Sequence, residues 1–322
     1  MKSDFIWMDG ELVPYEKATI HFITPTLHYG MGVFEGIRCY QTPQGPAVFR
    51  LREHLERFRE SIHILGIGNF PYTVEDMRQA VHKTIQANHF QECYVRPLMY
   101  MDGPLGLNMD KSKPKLGIAT WEWGPYLGEE AQESGVHMMV SSFTRLHPNI
   151  NMTKSKVAGN YVNSMLVKTL ALRSGYDEAV ILDPAGFVAE CTGENLFMVR
   201  DGAIYTPPKA TVLEGITRDS IFFLAEDLEI PVYEEMITRD QLYVADEVFI
   251  TGTAAEIVGV RMIDYRQIGA GGVGPITRAL LKEFRATIRG QGARSEAWLD
   301  YAGEGQVLEG ERAIGWDHHP TP

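Results

Sequence analysis

The order of apolar and polar positions divides the chain into short strands and a few amphipathic helices. Phe5-Ile6-Trp7-Met8 runs up to Asp9-Gly10, and Gly36-Ile37-Arg38-Cys39-Tyr40 runs up to Thr42-Pro43-Gln44-Gly45; both read as strands closed by turns. Leu51, Leu55, Phe58, Ile62 and Leu65 then recur at helical spacing with Arg52, Glu53, Glu56, Arg59 and Glu60 between them, which predicts an amphipathic helix. Met77, Val81 and Ile85 form a second such stripe after Thr73. Residues 94–100 and 116–121 read as strands, and the Gly- and Lys-rich stretch 103–115 between them reads as a mobile loop.

Near Tyr126 to Glu130 the pattern relaxes. This predicts a smaller domain over 1–128, a connection over 129–134 and a larger domain over 135–301. In the second half Val136 to Phe143 reads as a strand, and Tyr161 to Arg173 as a helix with Gly175 at its C-terminal end. Two strand-turn-strand units follow, around Asp183-Pro184-Ala185-Gly186 and Asp201-Gly202. Gly215-Ile216-Thr217 opens a helix through Ile221, Leu224 and Leu228, strands begin at Val232, Glu247 and Glu256, and Pro275 starts a last helix. Residues 302–322, rich in Gly, Glu, His and Pro, read as a tail. The expected class is α/β with α+β character.

Composition narrows the function. A chain of 322 residues exceeds the roughly 250 to 300 at which one core stops growing, in keeping with two domains. No apolar run approaches the ~18 residues of a membrane span, so no membrane association is expected. Met1-Lys2-Ser3-Asp4 meets an acid too soon for a signal peptide, and a cytoplasmic location is the expectation. Cys39, Cys93 and Cys191 are too few and too widely spaced for a disulfide framework or a zinc site, and read as free thiols. A net charge of −12 argues against a nucleic-acid partner and leaves room for a local basic pocket.

Several stretches carry candidate chemistry. Lys154 and Lys156 precede the small-residue turn Val157-Ala158-Gly159-Asn160, and a lysine held there is a candidate nucleophile toward a carbonyl. Most lysines are solvated charges, and local sequence does not separate these two. Gly215-Ile216-Thr217-Arg218 places free amides and a hydroxyl at a helix start, which suits an anion, although a Thr there is usually only a cap. Thr251-Gly252-Thr253-Ala254-Ala255 offers either a second donor set or an ordinary turn. Arg38 and Arg96 lie in strand-like runs beside aromatic residues, where a guanidinium takes a carboxylate or a structural ion pair. Arg57, within a helix, reads alone as a solvated face, and Glu190 ends an apolar strand where its carboxylate needs a partner. Gly269-Ala270-Gly271-Gly272-Val273-Gly274 matches a dinucleotide-binding spacing, but no buried strand precedes it and too little chain follows for a βαβ unit.

Together the chain resembles the branched-chain amino-acid aminotransferases of the fold-type IV pyridoxal-phosphate enzymes over about residues 5 to 300. The resemblance rests on His28-Tyr29-Gly30, Val33-Phe34-Glu35-Gly36-Ile37-Arg38, His54-Leu55-Glu56-Arg57-Phe58 and Tyr94-Val95-Arg96-Pro97. It continues through Trp123 to Gly128, Lys156 to Tyr161, Glu190 with Gly193 to Phe197, Gly215 to Asp219, and Gly252 to Glu256. It implies a two-domain fold-type IV architecture and pyridoxal 5'-phosphate as cofactor. Branched-chain L-amino acids and 2-oxo acids would exchange amino groups with glutamate and 2-oxoglutarate in a ping-pong cycle. By resemblance Lys156 bonds the cofactor and shuttles the proton, Glu190 faces the pyridine nitrogen, and Tyr161 meets the phenolic oxygen. Arg57, Ile216, Thr217 and Thr253 hold the phosphate. Phe34, Trp123, Tyr126 and Tyr161 line an apolar pocket, with Gly36 and Arg38 among the substrate residues. Tyr94 with the backbone of Thr253 and Ala254 meets the α-carboxylate, and Tyr29 and Arg96 the second carboxylate. Tyr29 and the loop Gly103 to Asn108 reach a partner subunit's site, which implies at least a homodimer. Cys191, where many members have glycine, and the approach His147 to Thr153 depart from the family pattern. D-amino-acid and (R)-amine transaminases and aminodeoxychorismate lyases share the fold; the stretches at Phe34 to Arg38 and Tyr94 to Pro97 favour the branched-chain type, with (R)-amine side activity open. An idle cofactor-binding protein and a nicotinamide dehydrogenase using the Gly269 loop are the readings from other classes.

Overall fold

Two sheets organise the chain in the computed structural model, which describes residues 3–301 except Pro125. The tail 302–322, and Pro125 of the Trp123 to Gly128 motif, lie outside the described residues. The first sheet has eight strands, all paired antiparallel, in the order Leu299–Tyr301, Gly45–Phe49, Ile37–Thr42, Cys93–Asp102, Lys113–Trp121, Phe5–Met8, Glu11–Pro14, with Gly32–Phe34 also on Cys93–Asp102. The predicted helices cover one face of it. Leu51–Ile64 and Val74–Ala87 bury Leu51, Leu55, Phe58, Ile62, Met77, Val81 and Ile85 against Val33, Ile37, Val95 and Ile118. Thr73 and Asp76 form a reciprocal capping box at the second helix.

The stretch read as a loop over 103–115 is shorter than that. A single turn at Met109–Lys111 interrupts it, and the strand starts at Lys113, opposite Asp102. Lys115 alternates with apolar residues on a half-buried strand, and its charge masked that pattern.

The second sheet has nine strands. Val188–Glu190, Glu178–Leu182, Val136–Thr144, Glu256–Ile263, Glu247–Gly252, Asn195–Arg200, Ala203–Thr206 and Val232–Glu234 follow one another, with Arg266–Gln267 beside Glu256–Ile263. Most pairs are antiparallel, but Val136–Thr144 runs parallel to both of its neighbours. Parallel neighbours need a crossover, and the helix Tyr161–Arg173 supplies the one between Val136–Thr144 and Glu178–Leu182. The two sheets share a core in which Tyr40, Ala47 and Phe49 of the first meet Phe197, Phe249, Leu280, Phe284 and Trp298. Phe197 and Phe249 stack with centroids 4.9 Å apart.

The glycine-rich loop 269–274 leads into the helix Pro275–Ile288, whose N-terminus is already taken. Glu247 accepts the Ile276 and Thr277 amides at 2.9 and 2.8 Å, and any Cβ at Gly274 would strike that carboxylate. The preceding strand is only the two-residue antiparallel Arg266–Gln267, so the loop opens a helix and cradles no dinucleotide. Pro275–Ile288 is not the last element, because a one-turn helix Ser295–Trp298 and the strand Leu299–Tyr301 return the chain to the first sheet. Among the described residues no helix is long and apolar enough to cross a membrane.

An acidic group lies buried beside Cys191. Glu178 accepts from Lys168 at 2.7 Å and from the Thr192 hydroxyl at 2.9 Å. Burial, with the Glu178 charge second, pushes the Glu194 carboxyl up from 4.5 to about 8. The folded chain therefore keeps a proton that the unfolded chain has released. The stabilising contribution is complete below about 4.5 and is lost as pH rises through about 8. Glu194→Gln should flatten this alkaline loss, so that the melting temperature of the variant falls less than that of the parent between about pH 6 and 9 in thermal denaturation.

Candidate active site

Lys156 lies in the crossover between two parallel strands, just ahead of the turn Ala158–Asn160 and the helix Tyr161–Arg173. Its backbone is fastened to the first sheet and its helices. The Phe34 amide donates to the Lys156 carbonyl at 3.1 Å, and Val33 bridges Val157. The Lys156 amide donates to the Ser61 hydroxyl at 3.0 Å, and the Ser155 hydroxyl donates to the Ser61 carbonyl at 2.9 Å. Gly159 donates to the Gly30 carbonyl at 3.0 Å. Gly30 has φ +71°, and a Cβ there would press on the Gly159 backbone, so glycine is required on both counts. Held this way, the Lys156 amine donates to the Tyr161 hydroxyl at 2.6 Å and lies 5.0 Å from the Phe34 ring centroid. Lys154 turns elsewhere, to the carbonyls of Lys209 and Val212 and, at 3.2 Å, the carboxylate of Glu214. The fold separates two lysines that local sequence leaves equivalent.

The start of the helix Ile216–Asp227 carries backbone donors of the kind that suit an anion. Gly215 precedes it without a capping side chain, and the Ile216 and Thr217 amides have no protein acceptor among the described residues. A Cβ at Gly215 would strike the Asn195 side-chain oxygen. Arg57 is buried, one turn before Ser61 in the helix Leu51–Ile64, and donates through Nη1 to the Glu214 carbonyl at 2.7 Å. Its Nε and Nη2 grip both oxygens of Glu35 at 2.7 and 2.8 Å, and His54 Nδ1 lies 2.8 Å from Glu35 Oε2. Burial opposes the Glu35 charge, but Arg57 and His54 outweigh it and hold the carboxyl well below the usual range. Burial pushes His54 down, toward its neutral form. Sequence reading gave Glu35 and His54 no role, although an acid in the apolar run from Val33 to Ile37 is a signal that a partner must exist.

Glu190 ends its strand fully engaged. Oε1 lies 2.5 Å from Arg145 Nε, while Oε2 accepts from the Leu213 amide at 3.1 Å and from Asn195 Nδ2 at 3.2 Å. Arg145 and Asn195 were not singled out from sequence, and no local pattern marks them. Leu213 lies two residues before Gly215, so one loop connects the Glu190 and Arg57 ends of the site.

An aromatic wall completes it. Phe34 and Tyr161 pack edge to face at 4.7 Å, Trp123 reaches Tyr94 at 4.7 Å and Tyr126 at 5.7 Å, and Tyr94 meets Trp121 at 5.1 Å. Trp121 belongs to this wall without having been expected. The Arg96 guanidinium lies 4.7 Å from the Phe34 centroid and 5.3 Å from that of Tyr94, and it donates to the Tyr94 hydroxyl at 3.2 Å. Arg96 Nε is buried without a partner among the described residues. Gly36 leaves the space that the Tyr94 hydroxyl fills, since a Cβ there would strike it. Arg38 is buried and donates to the carbonyls of Gly124 and Ala254 at 3.0 and 3.3 Å. Thr253 and Ala254 occupy the loop between Glu247–Gly252 and Glu256–Ile263, and their amides have no protein acceptor among the described residues. Tyr29 stands apart within this chain; its ring is about half exposed and its ring contact is with His28.

The chain as a whole matches known proteins in sequence and in fold. Residues 32–263 match the family model described as amino-transferase class IV. The chain is 46% identical over 298 residues to the branched-chain-amino-acid aminotransferase of Pseudomonas aeruginosa, which covers 92% of this chain and 97% of that protein. The crystal structure of the Escherichia coli branched-chain amino acid aminotransferase superposes with a TM-score of 0.92 at 42% identity, covering 94% of this chain and 100% of that one. A branched-chain amino acid aminotransferase from T.th., complexed with N-(5'-phosphopyridoxyl)-L-glutamate, superposes at 0.89 with 43% identity, covering 94% and 100%. In agreement with the expected α/β, fold-type IV class, this chain belongs to the class IV aminotransferases, and within them to the branched-chain-amino-acid aminotransferases.

Proposed function

We propose that the chain transfers the amino group of branched-chain L-amino acids to 2-oxoglutarate in a ping-pong cycle with pyridoxal 5'-phosphate. The observation that carries this reading is the Lys156 amine held at 2.6 Å from the Tyr161 hydroxyl, in a segment bolted to the helix that bears Arg57. The donor set suits the cofactor's two ends. Uncapped amides at Ile216 and Thr217, with the Arg57 guanidinium, fit a phosphate. Glu190, a buried carboxylate, fits a protonated ring nitrogen. When bound, the cofactor supplies an aldehyde that condenses with amines and a ring that takes up the electron pair freed at the substrate Cα.

The protein's own groups then have separate tasks. Lys156 would take and return the proton at the substrate Cα, and the Tyr161 hydroxyl would orient that amine. Glu190, braced by Arg145, Asn195 and Leu213, retains the proton at the ring nitrogen. Thr253 adds a donor at the phosphate. Arg57 keeps its direction because Glu35 takes two of its nitrogens and leaves the outward N–H groups for the anion. The α-carboxylate lies against Tyr94 and the free amides of Thr253 and Ala254, beside Gly36 and Arg38.

One pocket serves two side chains. Phe34, Trp123, Tyr126 and Tyr161 present apolar faces to a branched aliphatic group, while Arg96, with an unpaired Nε, answers the second carboxylate of glutamate or 2-oxoglutarate. The glutamate adduct of the T.th. relative supports the second role. Tyr29 joins Arg96 from the partner subunit of a homodimer, and the loop Gly103 to Asn108 closes over the partner's site. Exposed Val162, Met165, Leu166 and Leu172 on one helix, with Leu105 and Leu107 in that loop, support an assembly that buries them. The chain works in the cytoplasm, and its working division is 1–128, 129–134 and 135–301.

Mixing the cofactor-loaded enzyme with L-leucine should bleach its visible absorption, while D-alanine and an (R)-amine leave it unchanged; a response to D-alanine and none to L-leucine would overturn the branched-chain reading. Arg96→Ala should raise KM for glutamate by roughly tenfold to a hundredfold, the loss of one charge-assisted pair, with L-leucine changed only a few-fold. Equal losses in steady-state kinetics would remove Arg96 from that role.

A further inference from the structure

The hairpin that carries Thr253 and Ala254 closes on an unexpected residue. Gly252 and Glu256 face each other in the ladder, which leaves Thr253, Ala254 and Ala255 as a three-residue loop. Such loops need a residue in the left-handed region, where glycine is the usual occupant. Here that residue is Glu256, at φ +63°. Neither of the short polar side chains that tolerate this region is present, so the backbone conformation is strained and something else must hold it.

The Glu256 side chain reaches across to the first sheet. Its Oε1 accepts from the Tyr40 hydroxyl at 3.0 Å and lies 3.6 Å from Arg38 Nη1. Tyr40 and Arg38 belong to the strand Ile37–Thr42, and all three groups are largely buried. Arg38 in turn donates from Nη2 to the Ala254 carbonyl in the hairpin loop and to the Gly124 carbonyl beside Trp123. One carboxylate thus fixes the guanidinium that clasps two walls of the site. A carbonyl pinned at Ala254 restricts the peptide planes on either side of it, and the amides of Thr253 and Ala254 are the ones left without an acceptor.

We propose that Glu256 is a positioning residue for the substrate α-carboxylate: anchored on Tyr40 and Arg38, it holds the loop so that the Thr253 and Ala254 amides converge on that carboxylate. The inference rests on the transaminase reading above. Glu256 touches neither substrate nor cofactor, and its effect passes through Arg38 and the loop. A side chain there only to tie the sheets together gives a different expectation for one substitution. Glycine at this position relieves the left-handed backbone while deleting the tie to Arg38, so local strain and substrate positioning move in different directions.

The test compares Glu256→Gly and Glu256→Gln with the parent as cofactor-loaded enzymes. Three quantities are measured: the melting temperature, the KM and kcat for L-leucine, and the Kd of 4-methylpentanoate, a branched carboxylate without an amino group, from tryptophan fluorescence. Glu256→Gly should melt below the parent, because the loss of the buried partner of Arg38 outweighs the relief of the left-handed backbone, and should in addition raise KM and the Kd of the carboxylate roughly tenfold or more while keeping kcat within about threefold, the pattern of a misplaced binding group that a purely structural tie would not give. Glu256→Gln, which keeps an acceptor for Tyr40 and loses the charge facing Arg38, should fall between them. Parental KM and Kd in Glu256→Gly overturn the proposal; if that variant fails to fold, parental values in Glu256→Gln overturn it and raised values support it. A parent enzyme that does not react with L-leucine removes the transaminase reading and the proposal with it, whereas a reactive parent with indifferent variants removes only the proposal.

Discussion

The proposed chemistry depends on where a flexible lysine side chain is allowed to go. Four rotatable bonds separate its amine from the backbone, so a productive position requires the backbone beneath it to be fixed. Here the crossover segment from Ser155 to Gly159 belongs to the second sheet by connection and to the first by its hydrogen bonds, through Phe34, Ser61 and Gly30. Movement between the two sheets would therefore displace Lys156 before anything else. The shared aromatic core of Phe49, Phe197, Phe249 and Phe284 resists that movement with apolar contact alone, away from the polar site.

Charge is buried around the site only where it is paired. Arg57 with Glu35 and His54, Arg145 with Glu190, and Arg38 with Glu256 each place a guanidinium against a carboxylate with little exposure. Removing one member of such a pair leaves an uncompensated buried charge, at a cost of about 3–5 kcal/mol. The pairs add little net stability over an apolar filling, and their return is direction: planar forks locked on one side present their remaining donors on the other. Arg96 differs in facing no carboxylate among the described residues: it is caged by rings and donates to the Tyr94 hydroxyl. That contrast fits a site whose cofactor contacts stay constant while its substrate side chain alternates between apolar and charged.

Much of this frame was legible in the sequence because it depends on local repetition. The stripes Leu51 to Leu65 and Met77 to Ile85 reported helices that the fold contains, and the turns at Asp183-Pro184 and Asp201-Gly202 reported their hairpins. Features that depend on distant partners were silent. Leu299–Tyr301 is a strand because residues 47–49 wait for it, and three residues carry no periodicity. Lys154 and Lys156 look alike in sequence, yet one meets the 209–214 loop and the other Tyr161. Arg145 matters through Glu190, 45 positions away, and nothing beside either residue announces it. Glu35 and Glu256 stand inside motifs that carry the resemblance, but their contacts with Arg57 and Arg38 appear only in the packed structure.

Whether Lys156 alone among the lysines is the reacting amine can be read chemically. Treating the cofactor-loaded enzyme with borohydride, digesting it and mapping the attached cofactor by mass spectrometry should yield a single modified peptide with the label on Lys156. A label on Lys154, a label spread over several lysines, or none would remove Lys156 from that role.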